Sequence, residues 1–106
     1  MKFKINGVDW SVEKCSNSEN PLADGLFCGK TFFFDRKIYL NKDLTQSGLE
    51  ETIRHELVHA FLYQTQILNQ EKEFSYSEEM LCEFVGKYGK DIEKIAERYL
   101  KESKGE

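Results

Sequence analysis

The two histidines of the chain, His55 and His59, lie four residues apart with Glu56 beside the first of them. A helix would place the two rings about 40° apart on one face, so that both imidazoles can bind one ion beside the helix. This HExxH pattern is typical of zinc sites in which the glutamate faces a metal-bound water. The sequence therefore predicts metal binding by the histidines, with Glu56 as general base.

The motif lies in "ETIRHELVHAFLY", residues 51–63, which is apolar on most other sides. A helix that is apolar nearly all round is central in a domain, so we expect both histidines to be buried. Two buried imidazoles without partners would cost about 1–3 kcal/mol each, and one divalent ion would satisfy both. The alternative is a chance match, in which the histidines form local hydrogen bonds.

A third ligand has to be a carboxylate or a cysteine, because catalytic zinc usually has three protein ligands and the chain has no further histidine. The segment "SEEMLCEFVG", residues 77–86, offers Glu78, Glu79, Cys82 and Glu83. A capping box with the serine three residues before it would turn Glu78 toward the helix start. Glu79 is then the free carboxylate and the favoured ligand, and Glu78, Cys82 and Glu83 stay open as alternatives.

Glu79 shares a helix face with Cys82 and Gly86, two small residues that would let another helix approach closely. Glu83, one turn after Glu79, would then hydrogen-bond a ligand histidine. The alternative is that Glu79 and Glu83 belong to a solvated face, because an apolar stripe lies opposite them.

Two hairpins are predicted in the N-terminal half. "KFKINGVDWSVEK", residues 2–14, alternates around Asn6-Gly7, which supplies the positive backbone angles of a type I′ turn. After a predicted loop at residues 17–25, "LFCGKTFFFDRKIYLN", residues 26–41, is rich in aromatic and β-branched residues around a polar break.

Three helices are predicted to follow the hairpins. A capping box of Ser47 and Glu50 begins the motif helix, which continues to about Leu68. A possible capping box of Ser75 and Glu78 begins a second helix, which Gly89 ends, and a last amphipathic helix frays over residues 102–106. The predicted fold is α+β, with a small antiparallel or mixed sheet packed on the motif helix and two C-terminal helices.

Length and composition predict one domain over residues 1–106, since the chain is 40% hydrophobic. The net charge of −4 comes from mixed charges without a basic block, which argues against a nucleic-acid partner. No segment resembles a secretion signal or a membrane span, so we expect a cytoplasmic protein without a membrane partner. Cys15, Cys28 and Cys82 lack metal-site spacing, and we expect buried, reduced thiols.

The chain resembles the zincin metallopeptidases, and among them the gluzincins, in "HELVH", residues 55–59, and "EMLCE", residues 79–83. Cys82 stands where that family has a small residue. The order of hairpin, motif helix and glutamate helix is similar to small bacterial and phage ImmA/IrrE-like peptidases and minigluzincins. The resemblance implies that His55, His59 and Glu79 bind Zn²⁺ and that Glu56 is the catalytic base.

The same resemblance implies a zinc-dependent metalloendopeptidase that hydrolyses a protein or peptide substrate. An edge strand near Cys28–Phe34 or Lys37–Asn41 would hold the extended substrate backbone. Tyr63 and Tyr76 are candidate oxyanion donors, although packing roles are favoured for both. Two alternatives stay open: a non-catalytic zincin-fold module that binds a protein partner and holds a structural metal, and a helical interaction protein without metal.

Overall fold

Four strands are followed by two helices in the computed structural model, which describes residues 1–16, 27–65 and 78–104. The elements are β1 (Lys2–Ile5), β2 (Val8–Cys15), β3 (Gly29–Phe32), β4 (Lys37–Asn41), α1 (Gln46–Thr65) and α2 (Glu78–Ser103). The fold is a mixed four-stranded sheet with two helices, which confirms the predicted α+β class. The predicted loop at residues 17–25 lies entirely outside the described residues.

The sheet has the strand order β1-β2-β4-β3, with β2 and β4 parallel and the outer pairs antiparallel. Asn6 and Gly7 have φ angles of 48° and 78°, which confirms the type I′ turn between β1 and β2. Among the described strands β3 lies at an edge, within the first of the two ranges predicted for an edge strand. The second range, Lys37–Asn41, is wrong because β2 and β3 pair with both sides of β4.

Helix α1 begins at Gln46 and is capped by Thr45, whose hydroxyl accepts a hydrogen bond from the backbone N–H of Gly48 at 3.1 Å. The predicted capping box of Ser47 and Glu50 is therefore wrong. Thr45 carries the same kind of hydroxyl two residues earlier, so the helix is capped before Ser47 is reached. The predicted end near Leu68 lies outside the described residues.

Helix α2 is continuous from Glu78 to Ser103, so the predicted break at Gly89 and the predicted pair of C-terminal helices are wrong. The apolar stripe stays in phase across the glycine: Tyr88 packs on Phe84 with ring centroids 5.6 Å apart, and Ile92 is buried one turn later. Residues 102 and 103, predicted to fray, are helical. Neither described helix is long and apolar enough to cross a membrane.

One face of the sheet packs against both helices and forms the core. Alternate residues of β1 and β2 point to this side, as the burial of Phe3 and Ile5 shows. The largest fully buried side chains of the core come from the sheet and α1 and are Ile5, Trp10, Val12, Ile38, Leu40, Ile53 and Leu57. The core therefore fixes the buried side of α1 and leaves the two histidines outside it.

The three cysteines differ in their surroundings. Cys15 is buried at the end of β2, as predicted, whereas Cys28 and Cys82 are exposed. The prediction of burial is wrong for the latter two, because Cys28 precedes the edge strand and Cys82 lies on the outer side of α2. None of the three forms a disulfide within the described residues.

Candidate metal centre

The two histidines lie on the exposed side of α1, and the predicted burial of the pair is wrong. Leu57 and Ala60 of α1 have no exposed surface, and Phe61 packs on Tyr88 of α2. The core and α2 thus cover two sides of α1. The side chain of His55 is 67% exposed, because no described residue covers the third side. A burial penalty therefore gives no argument for metal, and only the geometry of the two rings supports a metal site.

The two rings are placed as they would be around one ion. Nε2 of His55 and Nε2 of His59 are 3.2 Å apart, and the ring planes are inclined at 73°. Two nitrogens bound to tetrahedral zinc at 2.0–2.1 Å are separated by about 3.3 Å. The pair therefore already has the spacing of two ligands of one zinc ion. Together with Glu56 it forms a group that could hold a metal ion, with one donor atom from each residue and all three within 4.8 Å.

The same separation also suits a direct hydrogen bond between the imidazoles. In that arrangement one Nε2 carries the proton and donates, and the other accepts through its lone pair. Metal binding requires lone pairs on both Nε2 atoms, which leaves the protons on both Nδ1 atoms. The two states of the pair therefore differ in tautomer, and a measurement of the ring protons separates them.

Glu56 is the only charged side chain that is buried among the described residues, with 6% of its surface exposed. The hydroxyl of Thr31, on β3, donates a hydrogen bond to Oε1 of Glu56 at 2.9 Å. The other oxygen, Oε2, lies 3.8 Å from Nε2 of His55. One carboxylate oxygen is thus held by the sheet and the other faces the histidines. This is the orientation that a general base next to the metal needs.

The close approach of β3 to α1 depends on Gly29. A Cβ at this position would lie 3.0 Å from Leu40 Cδ2, 3.0 Å from Thr52 Cγ2 and 3.1 Å from Glu56 Cγ. At these distances the three side chains would have to shift by a few tenths of an ångström to admit any larger residue. The sequence analysis missed both Gly29 and Thr31. A glycine inside a strand pattern was the available signal, because it marks close approach of another segment.

The described structure does not bring Glu79 to the histidines. Tyr88 of α2 lies level with Phe61 of α1, and Arg54 pairs with Glu93, so the helices run antiparallel. Glu79 precedes Tyr88 by nine residues, which is about 14 Å along a continuous helix. It is exposed in the first turn of α2, beyond the level at which described α1 ends.

The close helix contact predicted beside Glu79 is also missing among the described residues. Cys82 is exposed, and a Cβ added to Gly86 would meet no atom within 4 Å. Glu78 and Glu83 are exposed as well. Ser75, the partner predicted for Glu78, lies outside the described residues. The ligand role of Glu79 therefore stays a prediction from the resemblance.

An ion pair joins the two helices one residue before the motif. The guanidinium of Arg54 donates hydrogen bonds to both carboxylate oxygens of Glu93, at 2.9 and 2.7 Å. This contact with Arg54 lowers the pKa of Glu93, and the carboxylate in turn raises the pKa of Arg54. The pair places Glu93 of α2 level with the residue before His55. It therefore shows which part of α2 lies level with the histidines.

The predicted oxyanion donors receive no support from the described geometry. Tyr63 packs between Phe33 and Trp10, with ring centroids 4.9 and 6.3 Å away. This is the packing role that the sequence analysis favoured. Tyr76 lies outside the described residues.

Comparisons with protein-family models, curated proteins and solved structures found no match to this chain.

Proposed function

We propose that the protein is a zinc-dependent metallopeptidase whose metal is bound by His55 and His59 and whose general base is Glu56. The observation that carries this proposal is the 3.2 Å separation of the two Nε2 atoms, with Oε2 of Glu56 3.8 Å from one of them. Zinc is favoured because imidazole suits it and because two nitrogens at this spacing match tetrahedral geometry.

Zinc bound here would polarise a substrate carbonyl and acidify a water molecule. Glu56 would take the proton from that water through Oε2 and deliver it to the leaving amine. Thr31 keeps Oε1 occupied, so Oε2 is the oxygen that transfers the proton. This division of roles between the two oxygens is the chemical reason for proposing a hydrolase rather than a structural metal site, which has no use for a base.

The proposed substrate is an extended segment of a protein or peptide. Strand β3 contacts α1 through Thr31 and Glu56, and none of the described strands pairs with its outer edge. An extended chain added to that edge would form backbone hydrogen bonds and run past Glu56. Strand addition would thus align a peptide bond with the histidine pair.

Zinc binding is tested with untagged protein, because a histidine tag would bind zinc itself. Competition with a chromophoric chelator should give one zinc per chain in the wild type. Loss of groups that merely orient metal ligands costs about 10–100-fold in affinity, so removal of a ligand in His55→Ala or His59→Ala should cost at least about 100-fold. Unchanged zinc affinity in both variants would overturn the proposed site.

Catalysis is tested with a proteome-derived peptide library and detection of new termini by mass spectrometry. Glu56→Gln should keep zinc affinity within about threefold and lower kcat by roughly 10²–10⁴-fold, the usual contribution of a general base. Glu51→Gln, an exposed position on the same helix, is the matched control and should cleave normally. Stoichiometric zinc with no cleavage by the wild type would instead favour the alternative of a binding module with a structural metal.

The third ligand is tested by comparing Glu79→Gln with Glu78→Gln. The resemblance predicts that Glu79→Gln alone lowers zinc affinity at least tenfold. The described position of Glu79, about 14 Å along α2 from Tyr88, predicts equal affinities in the two variants. The comparison therefore decides between the two expectations, and neither outcome alters the roles proposed for the histidines.

A further inference from the structure

The carboxylate of Glu56 is held by contacts from outside its own helix. It is buried, and its Oε1 accepts a hydrogen bond from Thr31 of β3 at 2.9 Å. The same hydroxyl lies 3.4 Å from the backbone oxygen of Glu56. Thr31 therefore contacts both ends of this residue. A helix alone would leave the three side-chain torsions of a glutamate free to vary.

Strand β3 also leaves space for the aliphatic part of the same side chain. Gly29 leaves room for Cγ of Glu56, since a Cβ on residue 29 would lie only 3.1 Å from that atom. Gly29 and Thr31 are two residues apart on the strand and therefore point to the same side of the sheet. The glycine thus leaves space for the side chain beside the strand, and the Thr31 hydroxyl selects which oxygen turns to the sheet.

We propose that Thr31, with Gly29 beside it, is a positioning residue that presents Oε2 of Glu56 to the histidine pair. This inference rests on the proposed function and deepens it. Without the Thr31 hydroxyl, Oε1 loses its donor and the carboxylate can rotate, so that neither oxygen is held toward the reacting water. A displacement of about 1 Å at such a group can cost on the order of 10²-fold in rate.

Catalytic measurements on four variants test this inference, with the library peptide that the wild type cleaves fastest as substrate. Thr31→Val should lower kcat roughly 10- to 100-fold while KM and zinc affinity stay within about twofold. Thr31→Ser keeps the hydroxyl and should restore kcat to within about threefold of wild type. Gly29→Ala removes no hydrogen bond but should also lower kcat, because the added methyl group would lie too close to Cγ of Glu56. Thr65→Val, which removes a hydroxyl bonded to the Phe61 carbonyl, is the matched control and should leave kcat unchanged.

A second measurement needs neither zinc nor substrate. In metal-free protein, a double-mutant cycle of Thr31→Val and Glu56→Ala should show a coupling of roughly tenfold or more in the unfolding equilibrium constant, as expected of a hydrogen bond to a charged group. Coupling below twofold would overturn the inference, because the hydroxyl would then not hold the carboxylate. This readout applies even if Thr31→Val is destabilised, provided that it still unfolds cooperatively.

The failure of this inference differs from the failure of the proposed function. A wild type that binds zinc and cleaves peptides, with Thr31→Val equally active, would overturn the positioning role alone. Loss of kcat in Thr31→Val that Thr31→Ser does not restore would also overturn it, since the methyl group and not the hydroxyl would then matter. A wild type that cleaves no peptide would overturn the proposed function, and the positioning role with it.

Discussion

Helix α2 runs through two glycines, and their replacement by alanine tests whether it is continuous. Gly86 and Gly89 both lie in the interior of the helix, and neither has a positive φ angle. An added Cβ at Gly86 meets no atom within 4 Å, and at Gly89 it meets only Val85 Cγ1, at 3.4 Å. The continuity matters for function because it fixes the distance of Glu79 from the level of the histidines.

The expected gain in stability follows from helix propensity, because neither methyl group causes a clash. Alanine is favoured over glycine by about 0.8–1.0 kcal/mol in a helix interior. Each replacement should raise the free energy of unfolding by that amount, and the two together by about 1.6–2 kcal/mol. For a domain of about this length, 1 kcal/mol corresponds to an increase in Tm of roughly 4 °C. The double variant should therefore melt roughly 6–8 °C higher than the wild type.

Thermal and urea unfolding followed by circular dichroism measure this effect. Gly7→Ala is the control, because Gly7 also has no atom within 4 Å but has a φ angle of +78°. It should lose about 1 kcal/mol, since an L-residue is strained in that conformation. If α2 ended at Gly89 in a left-handed conformation, Gly89→Ala would lower the stability in the same way. A lower Tm for Gly89→Ala would thus refute the continuous helix.

Two further predictions concern the helix ends and the contact between the helices. Thr45→Ala should lower the free energy of unfolding by about 1 kcal/mol, because the Gly48 N–H loses its capping acceptor. Ser47→Ala is the control and should have little effect. Urea unfolding measures both variants. Glu93→Gln should destabilise the protein at pH 7 by about 0.3–1 kcal/mol, since the exposure of Arg54 (38%) and Glu93 (46%) screens their attraction. Arg54 lowers the pKa of Glu93 in the folded state, so this contribution is present above the ordinary value of 4.5 and is lost as the pH falls through the folded pKa. Equal losses at pH 7 and pH 3 would contradict the ion pair.

Local patterns predicted the hairpins and the motif helix because short-range chemistry determines them. Asn6-Gly7 favours a type I′ turn, and both residues have the positive φ angles of that turn in the structure. The His55 and His59 spacing places two rings on one face of any helix, wherever that helix lies. The break predicted at Gly89 failed because a local signal was outweighed by tertiary packing: Tyr88 and Ile92 continue a buried stripe on both sides of it.

The features of the site that could not be predicted from the sequence depend on contacts between distant segments. Nothing in the spacing of residues 29–31 and 56 indicates that β3 approaches α1, because this depends on β3 pairing at the outer edge of β4. The exposure of His55 and His59 could not be predicted from the sequence either. Their apolar neighbours pack on the sheet and on α2, and the histidine side lies between these two contacts. Glu56, in contrast, is buried by β3 through contacts that the motif alone does not reveal.

The most direct test of the metal site is a zinc titration followed through the imidazole ¹⁵N resonances. The chain has only two histidines, so every imidazole signal comes from His55 or His59. The account predicts that one equivalent of zinc shifts the Nε2 signals of both residues together and leaves the proton of each ring on Nδ1. Signals that keep the pattern of a hydrogen-bonded pair at several equivalents of zinc, or a shift of one histidine alone, would contradict it.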